Sequence, residues 1–326
     1  MLGGRVRRAV WTAAGLAAIG VGWTVYAAYQ RDLRAARARA ASGSLMADTQ
    51  CGPIEYGIAG EGAPVLLVHG AGGGYDQGLD LGEPLATRGF RIIAMSRFGY
   101  LRTPLPHNGS AAAQADAHVC LLDALGFSRV AVIGASAGAP SAMQLALRHP
   151  ERCSAMVLLV PAAYVPRPGG ASAVTPPMKS MPAWTQRLFD LALRSDFLFW
   201  AAQRITRATM TRTILGTPPN VVKNASAAER ARVATVLEHI LPIASRRAGL
   251  LNDAAVVSSL ERFDLDRIAV PTLAISAADC LYGTFEAARY TAEHLPNARF
   301  IGYPSGGHLC VGHQDDVVSE IATFLS

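Results

Sequence analysis

Residues 130–140 read VAVIGASAGAP, and three signals follow one another there. The run 130–133 is unbroken and apolar, as in a strand buried on both faces. A G-x-S-x-G comes next, at 134–138, with Ser136 in its middle, and a helical pattern begins directly beyond it. A serine at a sharp strand-to-helix turn is held above the sheet with its hydroxyl free, and glycines two residues either side let backbone segments pack closely. Pro140 suits the helix start, because a proline in the first turn forfeits no intrahelical hydrogen bond. The same letters also occur as an inert Gly/Ala/Ser turn. The strand before and the helix after are what favour a catalytic Ser136.

Working outward, short apolar runs recur at 64–69 (PVLLVH), 90–96 (FRIIAMS), 156–160 (MVLLV), 271–276 (PTLAIS) and 299–303. Helical spacing appears between them: at 111–125 through Ala115, Val119, Leu122 and Leu125, and again at 137–148 and 317–325. Strand alternating with helix predicts an α/β domain with a mostly parallel central sheet flanked by helices. The alternation stops between residue 161 and about residue 255. A Pro/Gly-rich stretch at 165–182 leads there into helical segments at 183–195 and 227–240, without a clear strand. The expected division is an N-terminal segment (1–44), a first core part (45–161), a helical insert (162–255) and a second core part (256–326).

The chain has 326 residues, 51% of them hydrophobic and 17% charged, with a positive mean hydropathy of +0.23. Such a chain is not disordered, and it is long enough to fold without a metal or disulfide staple. The net charge of +6 is unevenly spread. Residues 1–40 hold seven Arg against one Asp, and residues 162–255 hold twelve basic against five acidic side chains. No recognition motif accompanies this excess, so nucleic acid is not an expected partner. Five cysteines (Cys51, Cys120, Cys153, Cys280, Cys310) are widely spaced with no CxxC, and free thiols are the expectation. Cys280 and Cys310 each lie within two residues of a catalytic candidate.

Residues 9–30 carry no charge and are flanked by three Arg before and by Arg31, Arg34, Arg37 and Arg39 after. About twenty apolar helical residues span a bilayer, and Trp11, Trp23, Tyr26 and Tyr29 resemble interfacial anchors. The expectation is a retained single-pass transmembrane helix and a membrane location. The arginines on both flanks leave the side of the membrane open. The alternative is a signal peptide cleaved near residues 25–27, giving a secreted protein; the run is longer than a signal's apolar region. The stretch 31–44 reads as a linker or as a continuing helix.

His69-Gly70-Ala71-Gly72-Gly73-Gly74 follows the strand at 64–68 and fits an oxyanion loop, whose backbone N–H groups face a developing negative oxygen. The expected donors are the N–H groups of Ala71 and Ala137. A phosphate cradle would need a G-K-[ST] or a dinucleotide fingerprint, and neither is present. His69 itself reads as a buttress. The base that a serine nucleophile needs is expected to be His308, in a glycine-rich loop before the last helix; the rival, His313, reads as a helix cap. Asp279, after the strand at 271–275, is the expected orienting carboxylate. Asp253, Asp264 and Asp266 precede that strand and are expected at the wrong sheet edge. The chain order Ser136, Asp279, His308 is the order of one fold class.

On these residues the chain resembles the α/β-hydrolase fold superfamily over roughly residues 51–326. The resemblance is carried by the loop at His69-Gly70, the turn Ser96-Arg97-Phe98-Gly99-Tyr100, the elbow at Ser136, the strand-end Asp279, and Gly307-His308. It implies that the insert is a cap over the site. Many members carry an acidic residue near Ser96 and a second glycine near Leu101, where this chain has neither. Members that cleave carbon–halogen bonds or epoxides carry Asp at the elbow, so Ser136 implies acyl transfer through an acyl-serine, with no metal or organic cofactor. The expected activity is ester hydrolysis of carboxylesterase type. The alternatives are a serine-dependent acyltransferase or perhydrolase, or a ligand-binding protein without catalysis. The insert is rich in apolar and aromatic residues (Trp184, Leu188, Phe189, Phe197, Phe199, Trp200). A lid of such helices would turn them toward the site and its charges outward. The expected substrate is therefore a small-to-medium apolar ester, with some basic residues near anionic lipid as a minor possibility.

Overall fold

The computed structural model describes residues 2–166 and 190–326, with the side chains of 2–10 and 13–15 left out. The expectations for 167–189, including the linker's later part, Trp184, Leu188 and Phe189, lie outside the described residues. Eight strands form one sheet: β1 (Leu45–Thr49), β2 (Gly52–Ala59), β3 (Ala63–Val68), β4 (Phe90–Met95), β5 (Val130–Ala135), β6 (Cys153–Leu159), β7 (Thr272–Ala277) and β8 (Ala298–Tyr303). Their spatial order is β1-β2-β4-β3-β5-β6-β7-β8. From β4 to β8 all pairings are parallel, while β2 is antiparallel to both its neighbours.

Alternation along β3 shows how the sheet is buried. Leu66 and Val68 join the core on one face with Met143 and Leu145 of α4 (Ala139–Arg148) and Leu121 and Leu122 of α3 (Ala111–Ala124). Val65 and Leu67 join the other core, with Leu85 of α2 (Tyr75–Ala86) and Val317, Val318 and Ile321 of the C-terminal helix, Gln314–Leu325. Both faces of a parallel strand must be apolar for this, which is why these strands were legible. The β1–β2 hairpin was not. Its strand β2 buries a glutamate, Glu55, whose carboxylate accepts from Ser96 Oγ (2.8 Å) and pairs with Arg102 (2.7 Å).

The first helix, α1, runs unbroken from Leu2 to Ala41. Among the described residues no helix is long and apolar enough to cross a membrane, so the expectation of a transmembrane span at 9–30 is not supported. Ala28 and Tyr29 lie against the inserted helices, which takes the last turn of the apolar run for contact with protein. The stretch 31–41 is the continuing helix rather than a linker, and it is docked. Leu33 and Ala36 are buried, Arg37 pairs with Asp196 (3.5 Å) and Arg39 with Asp76 (3.0 Å).

Between β6 and β7 the described residues hold helices and no strand: α5 (Asp196–Ile205), α6 (Arg207–Thr213), α7 (Pro219–Asn224), α8 (Ala227–Glu238) and α9 (Arg247–Ser258). Two of the three aromatic residues of α5 stand against α1. Phe197 and Trp200 meet the Tyr29 ring at 5.1 and 5.6 Å, and Trp200 Nε1 donates to Asp32 (2.9 Å). Their expected pocket-lining role is replaced by the docking of α1. The expectation of free thiols fails for two cysteines. Cys51, in the hairpin turn, and Cys120, on α3, form a disulfide with a Cα–Cα distance of 6.0 Å. Widely spaced cysteines give no pairing signal in sequence, and only the packing of the hairpin on α3 brings these two together. Cys153, Cys280 and Cys310 are free and buried.

Two measurements of thermal stability check this description. A chain beginning at residue 28 should melt with the full chain. One beginning at residue 45 should melt lower by about 5 °C, because it loses the burial of Leu33, worth about 2 kcal/mol, together with the Arg39 ion pair. Equal melting of all three would refute the docking. Replacing both Cys51 and Cys120 by Ser opens a link between residues 69 apart and should cost about 2 to 4 kcal/mol.

Candidate active site

The turn after β5 is built by close approach. A Cβ placed on Gly134 would lie 2.6 Å from Ala142 Cβ, and one on Gly138 would lie 2.4 Å from Val68 O. Any side chain at these two positions would push α4 or β3 away. Between them Ser136 is held at φ 49°, the left-handed region that an L residue occupies at a cost. Its carbonyl accepts the N–H of Ala162 (3.0 Å), so the segment leaving β6 ties the turn down. Ser136 remains half-buried.

His308 stands in a short 3-10 turn, Gly307–Leu309, and its Nε2 lies 2.9 Å from Ser136 Oγ. The loop is held by the insert and by the segment that follows β7. Its N–H donates to Gly216 O (3.3 Å), Arg232 donates to Leu309 O (2.9 Å), and the Tyr282 ring meets the imidazole edge-on at 4.9 Å. His313 is elsewhere: it stacks on Tyr303 at 4.2 Å and makes no side-chain capping bond.

Asp279 does not meet the imidazole. Its Oδ1 accepts the Gly307 N–H (2.7 Å) and so fixes the loop that carries His308. The atom at Nδ1 is the sulfur of Cys280, 3.3 Å away. Thr284, at the start of α10 (Thr284–His294), donates its hydroxyl to that sulfur (3.0 Å) and is bonded to Ser276 Oγ (2.9 Å). Burial by itself raises a thiol's pKa. Here the hydrogen bond and charge of His308, with the hydroxyl and N–H of Thr284, outweigh burial and bring Cys280 down to about 7. Cys310, buried near Cys280, is pushed up to about 12. Sequence reasoning missed the role of Cys280. Its only signal was adjacency to Asp279.

The oxyanion-loop candidate lies beside the serine: a Cβ on Gly70 would be 3.1 Å from Ser136 Cβ. Ala71 is exposed and Ala137 is buried in the elbow turn. His69 is a buttress. Its Nε2 accepts the Arg97 N–H (3.0 Å), leaving the Nδ1 proton for Gly70 O (2.7 Å). Burial, then the charge of Arg97, lowers its pKa well below the usual value, so the ring is neutral. Arg97 in turn donates from both terminal nitrogens to Asp253 on α9, each at 2.6 Å. Tyr100 donates to the same carboxylate and accepts the Gly72 N–H (3.2 Å). Asp253 is thus in the wall behind the loop and away from His308. A second buried arginine, Arg246, grips Gly73 O (2.6 Å) and Asp76 (2.7 Å). Leu101 has φ 50° and donates its N–H to Ser245 O (2.9 Å).

The sequence matches the profile of the alpha/beta hydrolase fold family across residues 63–311. It is 29% identical to a putative carbamate hydrolase, RutD, of a Caulobacter strain, over 78% of this chain and 87% of that one. It is 38% identical to a 2-hydroxymuconate semialdehyde hydrolase of Pseudomonas putida, over 31% of this chain. That match spans 37% of the relative's length, as does the match to an uncharacterised hydrolase of Bacillus subtilis. Among solved structures, an alpha/beta hydrolase fold protein from Nakamurella multipartita superposes with a TM-score of 0.66 at 25% identity, covering 86% of this chain and 98% of that one.

His308 is the histidine whose ring nitrogen reaches Ser136 Oγ. A fluorophosphonate probe should modify Ser136 in the intact chain and in His313→Ala. In His308→Ala the labelling rate should fall by about a hundredfold or more. The reverse ranking of the two variants would mean that the wrong histidine has been assigned.

Proposed function

Because the chain belongs to the alpha/beta hydrolase fold family, we propose that it is a serine hydrolase cleaving a small-to-medium apolar ester through an acyl-Ser136 intermediate. The observation that carries this reading is the 2.9 Å contact of His308 Nε2 with Ser136 Oγ, on a serine held at φ 49°. The imidazole takes the hydroxyl proton as the oxygen attacks the carbonyl carbon, then gives it to the leaving alcohol. Water repeats the sequence on the acyl-enzyme. The negative oxygen formed at each attack falls to the N–H groups of Ala71 and Ala137, a reading supported by the closeness of Gly70 to Ser136.

The helices between β6 and β7 act as a cap in this reading. Support for an apolar substrate comes from Ile240, whose side chain lies within 3.6–3.8 Å of where a Cβ on Gly72 would be, and from the Tyr282 ring beside His308. A second reading is hydrolysis of a C–C bond, favoured by the likeness to the 2-hydroxymuconate semialdehyde hydrolase. The same serine and histidine would serve it.

The test is a rate series over p-nitrophenyl esters of rising acyl length, with and without a charged acyl end, beside 2-hydroxymuconate semialdehyde. Neutral acyl groups should be preferred, and Ser136→Ala should lose hydrolysis by several orders of magnitude, because the catalytic groups act as a unit. Preference for a charged acyl group of equal size would overturn the apolar reading. Faster turnover of the semialdehyde than of every ester would replace it with the C–C reading.

A further inference from the structure

We infer that Cys280, rather than Asp279, is the residue that positions His308 for proton transfer, its sulfur filling on Nδ1 the place a carboxylate would otherwise take. The inference rests on the serine-hydrolase reading and deepens it. Three features of the geometry carry it. The sulfur and the serine oxygen sit on opposite nitrogens of one ring, at 3.3 and 2.9 Å. The sulfur is a held acceptor, since Thr284 Oγ1 donates to it at 3.0 Å and is itself fixed by Ser276. The carboxylate of Asp279 is directed to the Gly307 N–H.

The proton account follows from the ring. With Nε2 accepting from the serine hydroxyl, the ring's one proton is on Nδ1, where it donates to the sulfur. When Ser136 Oγ forms its bond to the carbonyl carbon, its proton moves to Nε2 and the carbonyl's π pair moves to oxygen. The imidazolium so formed lies against a sulfur that offsets its charge when it is a thiolate. Collapse then breaks the bond to the leaving group, which takes the Nε2 proton. Nothing is oxidised or reduced.

A neutral thiol would offset the imidazolium poorly, so the productive state is thiolate with neutral imidazole. The titratable groups facing Cys280 are His308, Tyr282 and Cys310, with Asp279 adjacent in sequence. Tyr282 and Cys310 are both pushed up to about 12, the tyrosine by burial and by the charge of Cys280, the cysteine by burial foremost. Cys280 has a pKa of about 7, so the thiolate is present above that pH. The rate falls as pH drops through that value and the sulfur takes up its proton.

The experiment measures kcat and KM against pH with p-nitrophenyl butyrate, in the native chain and in Cys280→Ala, Cys280→Ser, Cys280→Asp and Asp279→Asn. Circular dichroism confirms folding of each variant. Cys280→Ala and Cys280→Ser should lower kcat by about a hundredfold or more with KM within about threefold, since a neutral group cannot balance the imidazolium. Cys280→Asp should return kcat to within about tenfold of the native value. It should also move the acid limb to lower pH, because a carboxylate stays ionised well below the pH at which the thiolate is lost. Asp279→Asn keeps an oxygen for the Gly307 N–H; it should lose less than about tenfold and keep the native limb. The inference is overturned if Cys280→Ser keeps native kcat, or if Asp279→Asn loses more than the cysteine variants. It is also overturned if Cys280→Asp folds without either rescue or a shifted limb. No hydrolysis and no fluorophosphonate labelling of Ser136 in the native chain would instead sink the serine-hydrolase reading.

Discussion

Ser136 is held at φ 49°, in a region that costs a side-chain-bearing residue about 1 to 2 kcal/mol, and its neighbours keep it there. α4 presses on Gly134, the end of β3 presses on Gly138, and Ala162 binds the serine's own carbonyl. Relaxing the turn would separate a helix from two strands of the central sheet. The strain is local, whereas the restraint comes from the packing of α4 and β3 around the turn. A hydroxyl presented in this way needs no further help to be aimed; it needs only a base within reach.

The base is carried by a loop with little structure of its own, and the insert holds that loop in register. Gly216 accepts the His308 N–H, Arg232 accompanies Leu309, and Asp279 receives Gly307. The opposite wall follows the same plan. His69 passes the position of the Arg97 backbone to the glycine loop, and Arg246 fastens Gly73. Buried charges are expensive unless paired, and here each buried guanidinium has a carboxylate: Asp253 for Arg97 and Asp76 for Arg246. The polar groups of the site are therefore fixed by groups that have no chemistry of their own to perform.

Much of this was readable where the signal is local. The strand, turn and helix around Ser136 are contiguous, so pattern and motif agree, and the parallel strands declare themselves by being apolar on both faces. The contact of His308 with Ser136 needed only the right loop at the right sheet edge. What could not be read depends on phase or on competition. Whether Asp279 or Cys280 faces the ring is decided by the twist of one turn, which residue types do not encode. The aromatic Trp200 was a sound sign of burial, but two surfaces could bury it, and it lies against α1. β2 hid behind Glu55, since a buried carboxylate breaks the alternation that marks a strand. The pairing of Cys51 with Cys120 depended on a hairpin that had not been recognised.

The bidentate bond between Arg97 and Asp253 bears on how often the site can open. It joins the turn after β4 to α9, the last helix before the chain re-enters the sheet. Lifting α9 away would leave one buried charge without its partner, at about 3 to 5 kcal/mol. An open form reached by that route would hold fewer than about one molecule in a hundred at any instant. Substrate exchange fast enough for turnover is better served by motions that leave α9 seated. Arg246, paired with Asp76 directly before α9 begins, adds a second buried ion pair, so this end of the insert is held at two points.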